Sequence, residues 1–142
     1  RLDLRDTLLR EDRILFCGDS LFSLGCGRLF EGTAQQLWQS LEKIKKLPEN
    51  TKIYAAHEYT EQNCLFALSI DPSNHDLKNY QIIIKKKRQK NEATLPTLLS
   101  LELKSNPFLR TEKQEIKSAT KTEKKEDWET FKALRQLKDS FS

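Results

Sequence analysis

Methionine is absent from the 142 residues, and histidine occurs only twice, as His57 and His75. A chain that opens on Arg1 with no start residue is expected to be a processed product, an engineered piece or an incomplete fragment. No run of about eighteen or more apolar residues exists, which removes a membrane-spanning helix, and Arg1 to Arg13 lacks the apolar centre of a signal peptide. The expectation is a soluble cytoplasmic protein. Three cysteines, Cys17, Cys26 and Cys64, cannot all pair within one chain, and none stands in a two-residue-spaced zinc grip, so they read as packed thiols of a reducing compartment. Glycine is also scarce, with four in all.

What is present is globular in character, 37% hydrophobic and 32% charged. The net charge of +4 is unevenly placed: residues 1–70 hold 9 Lys+Arg against 10 Asp+Glu, and residues 71–142 hold 16 against 11. Such a basic half either faces something anionic or is simply well solvated.

Arg13-Ile-Leu-Phe-Cys17 is a short apolar run ending in Gly18-Asp19, the pattern of a buried strand that delivers a carboxylate at its end. Three of the four glycines fall between Gly25 and Gly32, which is loop chemistry. Thr33 with Gln36 resembles a capping box opening a helix with Leu37, Leu41 and Ile44 on one face, stopped by Pro48. Thr51 to Ala56 reads as a second strand, with His57-Glu-Tyr-Thr60 at its C-terminal end. Beyond it the pattern turns helical: Glu61 to Ile70, a break at Asp71-Pro72-Ser-Asn74, then Asp76 to Asn91 and Thr97 to Lys104. Asn106-Pro107-Phe108 forms a turn or extended segment, Thr111 to Lys125 a polar linker or solvated helix, and a last amphipathic helix is anchored by Trp128 and Phe131. A strand, loop, capped helix and strand suit the end of an α/β layer, where sites gather beyond strand ends.

Two strand-end residues, Asp19 and His57, carry the chemistry. Carboxylate and imidazole suit zinc, iron or manganese, yet an Asp after glycine is ordinarily a turn residue, a lone His is ordinarily structural, and two ligands leave a zinc site incomplete. The surrounding motifs give them a context. Cys17-Gly-Asp-Ser-Leu-Phe22, Gly25-Cys-Gly-Arg-Leu-Phe-Glu-Gly-Thr33, Leu47-Pro48, His57-Glu-Tyr-Thr60 with Asn63, Asn106-Pro107-Phe108-Leu109-Arg110 and Ala133-Leu-Arg-Gln-Leu-Lys-Asp139 follow one another as in glyoxalase II. From about Arg13 onward the chain thus resembles the second half of that family, the hydroxyacylglutathione hydrolases of the metallo-β-lactamase superfamily.

The resemblance implies an α+β fold, with residues 1–58 the trailing half of a metallo-β-lactamase αββα sandwich and 59–142 an all-helical, glutathione-binding C-terminal domain. It implies two divalent metal ions, zinc or alternatively iron or manganese, with Asp19 bridging them and His57 ligating one. The implied reaction is hydrolysis of the thioester S-lactoylglutathione to D-lactate and glutathione by a hydroxide that the metals generate. Substrate contacts carry over to Arg28, Phe30, Tyr59, Asn63, Arg135 and Lys138. Arg135 and Lys138, three apart on one helix, can clamp one carboxylate. Phe30 has no hydroxyl to offer where the family carries Tyr. The full-length enzyme is expected to be a monomer.

One departure is large. The Thr-His-x-His-x-Asp-His motif that supplies most of the family's metal ligands is missing, and residues 1–12 do not resemble the family's approach to the bridging Asp. The expectation is a glyoxalase II without its N-terminal half, holding metal poorly and hydrolysing thioester slowly or not at all. The alternatives are an inactive glutathione-conjugate or partner-binding piece, or another hydrolase of the superfamily. His75, in a polar turn, reads as a surface residue, and Lys85 to Arg88 as a solvated helix face: it lacks the interleaved aromatics of a nucleic-acid surface, and neither nucleic acid nor membrane is expected as a partner.

Overall fold

The structure is a computed structural model that describes residues 7–9, 14–18, 21–22, 25–26, 34–55, 60–93 and 97–141. Strands β1 (Thr7–Leu9), β2 (Ile14–Gly18), β5 (Lys52–Ala55) and β6 (Thr97–Leu98) form one sheet in the order β1-β2-β5-β6, and β3 (Leu21–Phe22) pairs with β4 (Gly25–Cys26) in a second. β2 and β5 run parallel, with α1 (Ala34–Lys45) in the connection between them, as parallel neighbours require a crossover. Their register closes on Gly18 opposite Ala55, after an irregularity between Phe16 and Gly18.

From residue 60 the chain is mostly helical: α2 (Thr60–Ile70), α3 (His75–Gln89), α4 (Leu99–Ser105), a 3-10 turn (Pro107–Leu109), α5 (Gln114–Thr120) and α6 (Asp127–Asp139). The helix expected to begin at Thr97 starts two residues later, because Thr97 and Leu98 are taken into the sheet as β6, antiparallel to β5 with Ile53 opposite Thr97. The Asp71 to Asn74 break is a built turn. Asn74 caps α3 by accepting from the Leu77 amide at 3.1 Å, while its own amide donates to Asp71 Oδ2 and to the Lys104 carbonyl. A capping box between Glu126 and Glu129 opens α6.

Leu41 and Ile44 of α1 and Ile53 of β5 are fully buried in the same core as Phe66, Leu99, Phe108, Ile116, Phe131 and Leu134. Packing is therefore continuous across residue 58. A second cluster joins Cys64 and Ala67 of α2 to Leu77, Tyr80 and Ile84 of α3, which explains why α2 is apolar on two faces.

Two readings of the sequence need correction. Of the two readings of Thr111 to Lys125, linker or solvated helix, the helix is present as α5, but it is packed and not solvated: Ile116 is fully buried, and the Lys117 ammonium bonds the Lys125 carbonyl at 2.9 Å and Thr130 Oγ1 at 3.1 Å. Trp128 is not a deep anchor of α6. It is half-buried with its indole N–H donating to Glu126 at 2.7 Å, and Phe131 and Leu134 carry the packing. His75 is exposed at the start of α3, and Lys85, Lys86 and Arg88 face solvent, Arg88 paired with Glu61 at 2.9 Å. No helix among the described residues is long and apolar enough to cross a membrane.

Candidate functional site

The face of α6 that carries Phe131 and Leu134 inward repeats one turn later as Arg135 and Lys138, so helical spacing alone places both cations beside the core. They meet an aromatic platform. The rings of Phe66 on α2 and Phe108 in the 3-10 turn stack with centroids 6.0 Å apart; Phe131 meets Phe108 edge-on at 5.8 Å and Phe141 meets Phe66 edge-on at 5.4 Å. The Arg135 guanidinium lies 5.6 Å over the Phe108 ring, and the Lys138 ammonium 5.9 Å over Phe66. Each cation thus rests on the negative face of a separate ring of one stack, an arrangement that fixes position as well as adding attraction.

The two differ in exposure. Arg135 is only 3% exposed and is bonded through Nε and Nη2 to Asp139 Oδ1, at 3.2 and 2.9 Å, whereas Lys138 is half-buried. Asn63 is buried on α2, one turn before Phe66. The structure therefore brings Lys138 and Arg135 onto adjoining rings and puts Asn63 on the helix that supplies one of them.

Asp19, Arg28, Phe30, His57 and Tyr59 lie outside the described residues. The strands that lead to two of them are described: Asp19 is the next residue after Gly18, and His57 the second after Ala55, and Gly18 and Ala55 are partners in the parallel ladder. Among the described residues there is no group of three or more side chains suited to hold a metal ion.

Sequence reasoning missed Phe66 and the role of Asn106. Asn before Pro-Phe was a usable signal, since Asn106 caps the 3-10 turn by accepting from the Phe108 amide at 2.9 Å. A separate cleft of about 450 Å³, bordered by Asp71, Asn74, Lys104, Arg110 and Glu115, shares no residue with this platform. Its charges are internally matched, Arg110 bridging Asp71 at 3.4 Å and Glu115 at 3.7 Å. Cys64 stands in the α2–α3 core, where burial pushes its thiol up to about 11 against a smaller opposing pull from Lys85. That is a packed thiol and not a nucleophile.

The family described as hydroxyacylglutathione hydrolase C-terminus matches residues 58–141, which takes in the platform and both cations. The hydroxyacylglutathione hydrolase of Maricaulis maris is 50% identical over 130 residues, covering 92% of this chain and 51% of that protein. Those of Aliivibrio salmonicida and Methylococcus capsulatus are 48% and 47% identical, over 92% of this chain and 52% and 51% of their own lengths. The chain spans about half the length of these relatives. Matched over most of its length by proteins of one name, and by the family profile over residues 58–141, the chain belongs to the hydroxyacylglutathione hydrolase family.

Proposed function

We propose that the chain holds a glutathione thioester for hydrolysis, S-lactoylglutathione giving D-lactate and glutathione, as part of a binuclear-metal hydroxyacylglutathione hydrolase. The observation that carries the reading is the pair of cations on the Phe66–Phe108 stack, within the segment that matches the family. Glutathione brings two carboxylates. Lys138, half-exposed on its ring, is placed to receive one. Arg135, held by Asp139 and Phe108, supplies a fixed positive field from the adjoining ring, so little ordering is left to be done when the ligand arrives. Asn63, Arg28, Phe30 and Tyr59 complete the pocket in this reading.

Asp19 and His57 are the metal-holding residues. Their donor chemistry fits zinc, iron or manganese, and the pairing of Gly18 with Ala55 on the two inner, parallel strands supports placing the two ligands beyond the same end of the sheet. Bound there, two cations would supply a nucleophilic hydroxide at neutral pH and polarise the thioester carbonyl. The parallel β2–α1–β5 unit supports reading residues 1–58 as the trailing half of a metallo-β-lactamase sandwich. The buried free Cys64 is in keeping with a cytoplasmic setting.

Calorimetric titration of the chain with glutathione tests the proposal. Saturable binding is expected, weakened at least threefold by Lys138→Ala with little change in thermal stability. Absence of binding by the unaltered chain, or an unchanged affinity in Lys138→Ala, would refute it. Elemental analysis of Asp19→Asn and His57→Ala checks the metal assignment, each being expected to lower metal content.

A further inference from the structure

The carboxylate of Glu102, on α4, is fully buried. Its Oε2 accepts from Thr97 Oγ1 at 3.0 Å, and the Thr97 hydroxyl in turn accepts from the Tyr80 phenol of α3 at 3.1 Å. Its Oε1 accepts from Asn106 Nδ2 at 3.1 Å, and Asn106, also fully buried, turns its Oδ1 to the Phe108 amide. Phe108 is the ring beneath Arg135.

Two arms meet at this one side chain. The first runs through Thr97 into β6, whose neighbour β5 leads toward His57. The second runs through Asn106 and the 3-10 turn to the ring that seats Arg135. The chemistry of the second arm is directional. A carboxylate can only accept, so the Asn106 amide must face it with nitrogen, which forces its oxygen toward the Phe108 amide and settles where that residue's backbone and ring lie. A buried carboxylate is costly, and an apolar side chain would fill the space between α4 and β6 more cheaply, so packing alone gives no account of a Glu here.

We propose that Glu102 is a positioning residue: acting through Asn106 and Phe108, it sets where Arg135 holds its guanidinium and so the affinity of the site for a glutathione carboxylate. The inference rests on the reading of Arg135 as part of the glutathione pocket. Glu102→Gln is the working variant: with its oxygen kept on the Thr97 hydroxyl, its NH₂ faces Asn106, so the first arm and the volume are preserved while the acceptor that fixes the Asn106 amide is lost. Asn106→Ser serves if that variant fails to fold, because Ser still caps the Phe108 amide but does not reach Glu102. Thr97→Val removes the other arm and is the control for a merely structural role.

Binding of glutathione is expected to weaken three- to tenfold in Glu102→Gln and to be unchanged in Thr97→Val. In an Arg135→Ala background, Glu102→Gln is expected to add no further loss. In NMR spectra the Phe108 amide and Arg135 Nε–H resonances should move in Glu102→Gln and those of exposed α3 stay in place. Wild-type affinity in Glu102→Gln, an equal loss in Thr97→Val, or a loss that multiplies with Arg135→Ala would overturn the proposal. If the unaltered chain binds no glutathione, the proposed function fails, and the resonances still decide this inference: an unmoved Arg135 signal refutes it and a moved one supports it.

Discussion

Replacing Lys117 by Met separates a packed helix from a solvated segment, because the composition of Thr111 to Lys125 points to a linker or a solvated helix and the structure to a packed α5. The Lys117 side chain is 11% exposed, and its ammonium bonds the Lys125 carbonyl, Thr130 Oγ1 and Asp127 Oδ1, the last at 3.0 Å. Methionine fills nearly the same volume but donates nothing. Asp127 is 40% exposed and regains water, so its loss counts for little. Thr130 keeps its hydroxyl contact with Thr122 at 2.7 Å. The Lys125 carbonyl loses its charged donor, which costs about 1–3 kcal/mol where water cannot replace it. Relief of the buried ammonium's desolvation offsets part of this, leaving a net loss of about 1–2 kcal/mol. With a urea slope of about 2 kcal/mol/M for a chain of this size, the unfolding midpoint should fall by about 0.5–1 M. Lys124→Met, at an exposed position, is the control and should stay within about 0.5 kcal/mol of the parent. If the two variants unfold together with the parent, Lys117 is not buried in a working hydrogen-bond cluster and the α5–α6 contact as described is wrong.

Other outcomes follow from single features. Lys121 ends α5 with φ 58°, in the left-handed region that glycine enters without a side-chain clash, so Lys121→Gly should raise thermal stability by up to about 1 kcal/mol. The Trp38 indole N–H is buried with no hydrogen-bond partner among the described residues; Trp38→Phe keeps most of the ring and should leave the urea midpoint unchanged or higher. An unfolded cysteine thiol ionises near 9.0 while folded Cys64 does so near 11, so between these values the unfolded chain binds fewer protons and stability falls as pH rises. Below about pH 9 the effect vanishes, and Cys64→Ala should flatten the decline between urea midpoints measured at pH 8 and 10. Phe108→Leu removes two aromatic contacts and the seat of Arg135, together about 2–4 kcal/mol in thermal or urea unfolding.

The helices were legible in the sequence wherever apolar spacing and a stop coincided: Leu37, Leu41 and Ile44 before Pro48, and Leu77, Tyr80 and Ile84 after the Asp71 to Asn74 turn. The packing of α5 was not, although a solvated helix was one of the two readings there, because its stability comes from one isoleucine and a lysine whose partners arrive from α6, and a polar 15-residue stretch conceals both. Thr97 and Leu98 were read as helix for a similar reason. Only the presence of Ile53 alongside makes them a strand. Arg135 and Lys138 were found by motif and spacing, but the rings beneath them were not, since a cation 5.6 Å above a phenyl ring joins residues 27 positions apart in the chain. Asp19 and His57 rest on the motifs and on the strands that precede them.

The core that runs without a seam from α1 and β5 into the helices has a thermodynamic consequence. Ile53, Leu41 and Ile44 are walls of the same chamber as Phe108 and Phe131, so the sheet and the helices have no separate free energies of unfolding to lose one at a time. Heat or denaturant should melt them in one step, and a break of the chain at residue 58 should leave two pieces that recover structure only when mixed.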